Sequence, residues 1–335
     1  MTKKVAVIVL NWNGISDTLA CVESLTRQSY TNFEIFVVDN ASSEPSTRVL
    51  LDSIKSDSIH IIHNQKNIGF AGGVNTGIRN ALLYGFDYVA LINNDAVAHP
   101  KWLTELVTAS KEYASSITTS LVLHSDRKTI DSTGDWYSTW GLPFPRDRDK
   151  LTKYASKSGF VFGGSGAGTL YNTEVFQQVG LFDETFFMYY EDVDLSFRAQ
   201  LHGYKAYFTD KAIIYHKRGA SSSSLPDLPI YHTFKNLPLL FAKNTPSRLL
   251  FPIGFRFLLA YWLIFGHAIK KKRYTPAVKG LLMSVYLFWF HAVPARIKIQ
   301  RNRKVSADYI KSILWLDLPP DQTGLRKFRR FFTGK

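Results

Sequence analysis

The sequence contains little cysteine and begins without a long hydrophobic run. Cys21 is the single cysteine among 335 residues, so no disulfide can form within the chain, which fits a reducing compartment. Residues 5–10 are apolar, and the polar residues of the segment 11–14 interrupt this run. Six residues are too few for the hydrophobic part of a secretion signal. The segment therefore predicts a buried strand of a cytoplasmic protein.

Acidic residues are scarce in the last third of the chain. Residues 231–335 contain 20 lysines and arginines and 3 acidic residues, which gives a net charge of +17. Residues 1–230 contain 21 lysines and arginines and 24 acidic residues, which gives a net charge of −3. Such an excess of positive charge favours a polyanionic partner, either nucleic acid or an anionic membrane surface. The charges flank apolar runs and no known nucleic-acid module is present, so we predict the membrane surface and no nucleic acid.

Two apolar runs lie within this basic part of the chain. Residues 249–269 include one charged residue, Arg256, and residues 281–293 form a second, shorter run. A membrane-spanning helix needs about 20 apolar residues, so the first run is borderline and the second is short. Both are rich in aromatic residues and bordered by Lys and Arg, which is typical of helices in the lipid headgroup region. We predict a membrane-associating helical region at residues 231–335, peripheral or shallowly inserted; the alternative is a soluble helical subdomain.

The first 230 residues alternate between strand and helix patterns. Short, β-branched apolar runs predict strands at residues 5–10, 33–38, 59–62 and 88–92. Amphipathic stretches predict helices at about residues 16–28, 74–84 and 102–112. This alternation indicates βαβ units and a Rossmann-like sheet flanked by helices. We expect a ligand crevice at the carboxyl ends of the strands.

Asparagine and aspartate collect at the ends of three predicted strands. Asn11 and Asn13 follow the first strand, Asp39 follows the second, and residues 93–95 follow the fourth. These residue types favour turns, but three such strand ends together also fit a polar ligand crevice. Asp95 is either a ligand for Mg²⁺ or Mn²⁺ or a cap for the next helix.

A glycine-rich segment at residues 67–77 leads into the helix predicted from about Val74. Glycines allow close approach of the backbone, and the free amides at a helix N-terminus favour a phosphate group. The segment is neither a dinucleotide-binding fingerprint nor a Walker loop, and glycines also form ordinary turns. On its own it is weak support for phosphate binding.

Four carboxylates, Asp183, Glu184, Glu191 and Asp192, bracket an aromatic run. Asp192 is either the N-cap of a helix or a general base beside an aromatic-lined site. His216 follows a strand-like run and is either a metal ligand or a surface histidine.

Two further features have structural interpretations. Asp194 and Arg198 are spaced as an ion pair on one helix. Residues 123–158 are polar and predict a long loop, in which Trp136 and Trp140 either stack on a sugar or pack the loop onto the domain.

Together these segments resemble the family 2 glycosyltransferases, in particular the rhamnosyltransferase-like branch of bacterial polysaccharide biosynthesis. The resemblance runs from Val5 to about Ser221 and rests on residues 7–14, 37–40, 67–75, 93–95 and 190–198. It implies an α/β GT-A fold, a Rossmann-like nucleotide-binding mixed sheet flanked by helices, over residues 1–230. The C-terminal helical membrane-associating region follows at residues 231–335.

The resemblance implies that Asp39 hydrogen-bonds the base of a nucleotide sugar, and that Asn11 and Asn13 line the pocket for this base. The other residues implied to bind the donor are Gly69, Phe70, Gly72, Gly73, Asn75, Asn93 and Asn94.

The resemblance also implies a metal site and a catalytic base. Asp95 and His216 would ligate a divalent metal, Mn²⁺ or Mg²⁺. Asn93 replaces the first aspartate of the family's Asp-x-Asp motif, a departure that affects the affinity and identity of the metal. Asp192 would be the catalytic base, and Glu191 beside it would orient the acceptor.

The implied function is an inverting hexosyltransferase at the cytoplasmic face of the inner membrane. It would move a sugar, with L-rhamnose the first choice, from dTDP-rhamnose or a UDP-sugar to a polyprenyl-diphosphate-linked saccharide. One alternative is a sugar-phosphate nucleotidyltransferase, but the glycine-rich loop with Arg that this class needs after its first strand is missing. Another is a non-catalytic, membrane-bound sugar-binding protein, against which the intact Asp39, Asp95 and Asp192 argue.

Overall fold

The structure, a computed structural model, describes residues 2–217 and 227–320 together with residues 322, 324 and 326. The predicted end of the resemblance near Ser221 lies outside the described residues. The strands are β1 (Val5–Asn11), β2 (Phe33–Asp39), β3 (Ile59–His63), β4 (Tyr88–Asn93), β5 (Ala96–Ala98), β6 (Ile117–His124), β7 (Ile130–Ser132), β8 (Asp135–Tyr137), β9 (Pro143–Pro145), β10 (Gly159–Val161), β11 (Gly168–Asn172) and β12 (Ala206–His216).

The α-helices surround these strands and continue to the end of the described chain. They are α1 (Ile15–Thr26), α2 (Pro45–Ser53), α3 (Gly69–Leu83), α4 (Trp102–Glu112), α5 (Thr173–Val179), α6 (Glu191–Leu201), α7 (Leu228–Asn244), α8 (Ser247–Lys270), α9 (Tyr274–Leu287), α10 (Val293–Arg301) and α11 (Ala307–Ser312).

The main sheet is mixed, and its strand order is β10-β12-β6-β11-β4-β1-β2-β3. Strands β3, β2, β1 and β4 are parallel, as the βαβ pattern predicts, and each begins at its predicted residue and runs one residue further. Strand β11 is antiparallel to both β4 and β6, which makes the sheet mixed. The carboxyl ends of β1, β2 and β4 therefore meet at one edge.

Strand β1 is buried on both faces. Val5, Val7 and Val9 pack with the residues of α1 and α4, and Ile8 packs on the opposite face with the residues of α3. Helices on both faces explain why the first strand is a continuous apolar run rather than an alternating one.

Helix α3 begins at Gly69, five residues before the predicted start at Val74. A Cβ atom at Gly73 would collide with Leu10, and a Cβ at Gly77 would lie 2.8 Å from Ile8 Cγ2. The glycines therefore let α3 approach β1 closely. The helix begins earlier than predicted because glycine favours turns in isolation, whereas here packing against the sheet outweighs its low helix propensity.

Residues 123–158 are not the long irregular loop predicted. They contain β7, β8, β9 and a short 3₁₀ helix, Thr152–Tyr154. Tyr137 is fully buried, and the ring of Trp136 packs 6.0 Å from that of Trp315. The prediction failed because these strands are three residues long, too short for a periodic apolar pattern.

The C-terminal helices pack onto the sheet domain through α7. Ser247–Lys270 and Tyr274–Arg301 are long and apolar enough to cross a membrane, by length and composition alone. The second of these continues from α9 through a π-helical segment, Phe288–Ala292, into α10. Helix α7 begins at Leu228, near the predicted domain boundary at residue 230, and this boundary stays a prediction.

Gly280 lies where α9 packs against α7. A Cβ atom there would collide with the carbonyl oxygen of Tyr231 and lie 3.0 Å from Phe234 Cβ. We expect Gly280→Ala to destabilise the protein by about 1–3 kcal/mol, because the two helices would be forced apart. Urea unfolding in detergent measures this change.

Gly266 of α8 provides the matched control, because no atom lies within 4 Å of a Cβ built there. Gly266→Ala should leave the stability unchanged or raise it by up to about 1 kcal/mol through helix propensity. Equal stability of the two variants would contradict the close packing of α9 on α7.

Candidate active site

A cleft of about 410 Å³ opens at the carboxyl end of β2. Asn11, the last residue of β1, donates from Nδ2 to Asp39 Oδ1 at 2.9 Å, so the neighbouring strand holds this carboxylate in place. The cleft is lined by Asp39, Ala41, Ser42, Ser43, Glu44, Pro45, Arg48, His63, Asn64 and Gln65.

Asn13 closes the side of this cleft. Its backbone has a positive φ of 53°, a conformation that asparagine tolerates better than most residues. Its amide donates to Ser42 Oγ at 2.9 Å, and its side-chain Oδ1 accepts from the amide of Ser43 at 2.8 Å. The structure thus brings Asn11, Asn13 and Asp39 together, as predicted from the ends of two strands.

Residues Asn93 to Asp95 lie at the end of β4 and in the turn to β5, next to the same edge. Asn94 Nδ2 donates to Thr18 Oγ1 at 3.0 Å, and this hydroxyl donates to Asn11 Oδ1 at 2.8 Å. Asp95 does not cap a helix, because α4 begins at Trp102 and has no side-chain cap.

His216, at the end of β12, joins the site from the other half of the sheet. Its Nε2 lies 3.0 Å from Asp95 Oδ1, and its Nδ1 lies 2.8 Å from Asp131 Oδ2. Burial lowers the pKa of His216, but hydrogen bonds to Asp131 and Asp95 outweigh burial and raise it to about 9. It is therefore a buried histidine with two carboxylate partners, not a surface histidine.

This arrangement fits a divalent metal. A carboxylate on one ring nitrogen orients a histidine so that its other nitrogen faces a metal, and Asp131 is so placed relative to His216. Within the described residues no three His, Cys, Asp or Glu side chains cluster as a complete set of ligands. Asp95 and His216 could supply two ligand atoms, and Mn²⁺ or Mg²⁺ commonly takes its others from substrate phosphates and water.

Asp192 is the second residue of α6 and not its N-cap, a position held by Tyr190 with a φ of 72°. Its Oδ2 accepts from the amide of Gly166 at 3.0 Å, and its Oδ1 accepts from the amide of Val193. Burial raises the pKa of Asp192, and these amide hydrogen bonds oppose the change.

A short backbone connection brings Asp192 close to the residues at the end of β4. Gly166 contacts the Asp192 carboxylate, and the next residue, Ala167, accepts at its carbonyl from the amide of Asn93 at 3.1 Å. Backbone hydrogen bonds therefore connect the predicted residues at the end of β4 with Asp192 of α6.

Glu191 is buried, and its Oε2 has no hydrogen-bond partner among the described residues. Burial first, and then the negative charge of Asp192, raise its pKa well above the usual range. Asp194, by contrast, forms the predicted ion pair with Arg198 at 2.8 Å, within the protein and not on its surface.

The glycine-rich segment contacts the residues of the candidate site mainly through its backbone atoms. Gly69 accepts at its carbonyl from Asn40 Nδ2 at 3.0 Å, beside Asp39, and Phe70 is half-buried. Gly72 and Gly73 are buried in the packing of α3. The buried Asn75 binds elsewhere: its Nδ2 donates to the Phe182 carbonyl at 2.9 Å and to Glu184 at 3.0 Å.

Sequence reasoning missed Asp131 and Arg148. Arg148 Nη2 lies 3.1 Å from Asp131 Oδ1, and its Nε donates to the Asp131 carbonyl at 3.1 Å. The alternation of positive and negative residues at 146–150 could have indicated this ion pair, because charged side chains buried inside a domain need partners of opposite charge.

Solved structures of two glycan-synthesising enzymes share this fold. The mannosyltransferase PcManGT of Pyrobaculum calidifontis, solved with GDP-Man and Mn²⁺, matches with a TM-score of 0.53 and 16% identity over 89% of this chain and 88% of that chain. GalNAc-T7, solved with UDP, GalNAc and Mn²⁺, matches with a TM-score of 0.54 and 16% identity over 72% and 50% of the two chains. The chain has the predicted GT-A fold, a mixed sheet flanked by helices.

Residues 6–180 match the model of the glycosyl transferase family 2, and the chain belongs to this family. The low-salt glycan biosynthesis hexosyltransferase Agl10 of Haloferax volcanii is 26% identical over 206 residues, which are 60% of this chain and 62% of that protein. The chain thus matches less than two thirds of the length of this relative.

The raised pKa of Glu191 predicts a pH-dependent stability. An acid with a higher pKa in the folded than in the unfolded protein destabilises the fold as the pH rises above its unfolded pKa of about 4.3. We expect Glu191→Gln to melt above wild type at about pH 8, and this difference to vanish toward about pH 4, as measured by thermal denaturation.

Glu23→Gln is the matched control, because Glu23 is exposed on α1 and pairs only with the exposed Arg27. Its melting temperature should follow that of wild type at both pH values. A Glu191→Gln variant that melts below wild type at about pH 8 would contradict the burial of an unpaired carboxylate.

Proposed function

We propose that this protein is an inverting glycosyltransferase that moves a sugar from a nucleoside diphosphate to an acceptor hydroxyl. The observation that carries the proposal is a set of hydrogen bonds at the carboxyl ends of the parallel strands. They connect Asp39 through Asn11 and Thr18 to Asn94, next to Asp95, and they connect Asn93 through Ala167 and Gly166 to Asp192. Membership of glycosyl transferase family 2 supports it.

Asp192 is the general base of this proposal. Its carboxylate takes the proton of the acceptor hydroxyl as the hydroxyl oxygen attacks the anomeric carbon, opposite the leaving diphosphate, so the anomeric centre inverts. The amides of Gly166 and Val193 hold the carboxylate in one orientation. A pKa raised by burial brings the base closer to neutral pH, where proton abstraction is most effective. We assign the neighbouring Glu191 to orienting the acceptor.

Asp95 and His216 would hold the divalent metal, Mn²⁺ or Mg²⁺. The presence of Mn²⁺ in the structures of PcManGT and GalNAc-T7 favours Mn²⁺. When bound, the metal neutralises the charge that develops on the departing diphosphate. Asp131 acts on the metal site through His216, because it fixes the orientation of the ring.

The donor follows the edge of the sheet in this proposal. Asp39 accepts a hydrogen bond from the base, within the cleft that Asn11 and Asn13 border. The Gly69 carbonyl accepts from the side chain of Asn40, the residue after Asp39, and we assign Gly69 and the following Phe70 to donor binding. We assign Asn75 to holding the turn before α6, since its amide is bound to Phe182 and Glu184.

The identity of the proposed sugar donor is inferred from the proteins that are similar to this chain. PcManGT was solved with GDP-Man, GalNAc-T7 with UDP and GalNAc, and Agl10 is a hexosyltransferase of glycan biosynthesis. We propose a nucleoside diphosphate hexose as the donor, first dTDP-rhamnose and then UDP-hexoses, for the synthesis of a cell-surface polysaccharide. Thymine and uracil present the same hydrogen-bonding groups to Asp39.

Asp192→Asn should abolish sugar transfer and leave donor affinity nearly unchanged, because the amide cannot accept the proton but keeps the shape of the side chain. Release of nucleoside diphosphate from dTDP-rhamnose and UDP-hexoses with Mn²⁺ measures turnover, and calorimetry measures donor binding. We expect a loss of about a hundredfold or more in kcat.

Asp126→Asn is the control, since Asp126 lies in an exposed turn whose hydrogen bonds asparagine can also accept. Unaltered turnover in Asp192→Asn would remove this residue from the mechanism. Release of pyrophosphate from a nucleoside triphosphate and a sugar phosphate by wild type would indicate the nucleotidyltransferase instead.

We propose that α8 and α9 lie on the anionic cytoplasmic face of the inner membrane, where a polyprenyl-diphosphate-linked saccharide serves as the acceptor. Their outward side chains include Phe251, Phe255 and Trp262 on α8, which are more than half exposed. The basic residues Lys270 to Arg273 connect the two helices and match the charge of anionic lipids.

The packing of these helices favours an interfacial over a spanning arrangement. Phe257 and Tyr261 of α8 and Ala277 of α9 are buried in one apolar cluster with residues of α7. A spanning helix would have to leave these contacts, and the four basic residues of the connection would have to cross the bilayer. An interfacial helix typically packs one face against the protein and buries the other face in lipid.

Flotation with vesicles of phosphatidylcholine and phosphatidylglycerol tests this surface. We expect full-length protein to float, and the triple variant Phe251→Ser, Phe255→Ser and Trp262→Ser to lose about tenfold or more in binding, because each such side chain contributes about 1.5–3 kcal/mol when buried in apolar surroundings.

The matched control is Val49→Ser, Leu83→Ser and Tyr84→Ser, three exposed apolar residues of the sheet domain. This variant should float like wild type, and salt should weaken the binding of this variant and of wild type to the vesicles. Equal flotation of the two triple variants would show that α8 does not contact the membrane.

A further inference from the structure

Sequence reasoning also missed Ser42, which lines the cleft at the carboxyl end of β2. Its hydroxyl donates to Asp39 Oδ1 at 2.6 Å. The same hydroxyl accepts from Asn11 Nδ2 at 3.0 Å and from the amide of Asn13 at 2.9 Å. A serine hydroxyl has one proton to donate and two lone pairs that accept, so the protein itself uses all three hydrogen bonds of Ser42.

The two oxygens of the Asp39 carboxylate differ in what they can still accept. Oδ1 accepts from Asn11 Nδ2 at 2.9 Å and from the Ser42 hydroxyl, so both of its lone pairs are used. Oδ2 lies 3.4 Å from the amide of Ser42 and 3.6 Å from His63 Nδ1, the second distance being too long for a hydrogen bond. Among the described residues, the partners of Asp39 therefore leave one oxygen, Oδ2, for a ligand.

This difference decides which bases the carboxylate can bind. Uracil and thymine have one ring N–H between two carbonyl oxygens, and one carboxylate oxygen is enough to accept from it. Guanine presents two neighbouring donors, its ring N1–H and its amino group, which need both oxygens of a carboxylate. At Asp39 the second donor would meet an oxygen whose lone pairs are taken by Asn11 and Ser42. A donor left without an acceptor weakens binding.

We propose that Ser42 is a specificity-determining residue through which the cleft selects a uracil or thymine nucleotide over a guanine nucleotide. Because the Ser42 hydroxyl occupies Oδ1, Asp39 accepts one hydrogen bond from the base. Arg48 lines the same cleft and has N–H donors only, which suit the carbonyl oxygens beside the ring N–H. A guanosine donor such as the GDP-Man bound to PcManGT does not suit this cleft. This inference rests on the proposed binding of the base of a nucleotide sugar by Asp39.

The first test measures the affinity of full-length wild type, with Mn²⁺, for UDP, dTDP, GDP and inosine diphosphate by calorimetry. We expect UDP and dTDP to bind about tenfold or more tightly than GDP, as for one hydrogen-bonding group left unpaired. Inosine diphosphate has the purine ring and the N1–H of guanine but lacks the amino group. It should therefore bind about threefold to tenfold more tightly than GDP, and this comparison removes the size of the base from the result.

The second test uses Ser42→Ala, which frees one lone pair of Asp39 Oδ1. We expect GDP to gain about tenfold relative to UDP and to bind at least as tightly as inosine diphosphate, because Asp39 can then accept from both donors of guanine. Ser42→Thr keeps the hydroxyl and should keep the wild-type order of affinities. Ser53→Ala is the matched control, since Ser53 is exposed on α2 and its hydroxyl donates to the Leu50 carbonyl. Melting curves check that each variant is folded.

Equal affinity of wild type for UDP and GDP, or tighter binding of GDP than of inosine diphosphate, would overturn the selection of the base. These two comparisons need no variant. Equal loss of affinity for UDP and GDP in Ser42→Ala would mean that Ser42 supports the cleft without choosing the base, and its assignment would be wrong. If wild type binds none of the four nucleotides and releases no nucleoside diphosphate from any nucleotide sugar, the proposed function fails as a whole, a result distinct from a changed order of affinities.

Discussion

The active site depends on a buried charge network beneath helix α6. Asp194 pairs with Arg198 at 2.8 Å and with Lys243 of α7 at 2.9 Å, and Asn244 donates to it at 2.8 Å. Burial raises the pKa of Asp194, but the positive charges of Lys243 and Arg198 outweigh burial and hold it below the usual value. Removing one partner would leave a charge buried without compensation, so α6 and its Asp192 are fixed against α7.

The same network joins the two halves of the chain. Asn236 of α7 donates to three carbonyls in the aromatic run before α6, those of Phe186, Met188 and Tyr189. The C-terminal helices therefore shape the turn into α6 as well as the apolar surface. The position of Asp192 and the exposed apolar side chains of α8 and α9 therefore depend on one set of packed helices.

The sequence correctly predicted the features that depend on the pattern of neighbouring residues along the chain. Four strands and helix α4 are as expected, because continuous apolar runs and amphipathic periods are local signals. It also located Asp39, Asp95 and Asp192, since strand ends and a dense carboxylate motif are visible in one dimension. The pairings of Asp131 with Arg148 and with His216 join distant segments, and no local pattern encodes such pairings.

Trp315 has a consequence for any shortened form of the enzyme. Its amide donates to the Tyr137 carbonyl at 2.9 Å, and its carbonyl accepts from the amide of Thr139 at 2.8 Å. The tail thus ties down the strand that begins at Asp135. Trimming the chain to remove helices α8 and α9 would also remove these hydrogen bonds, so a shortened fragment would lose the backbone pairing that holds this strand.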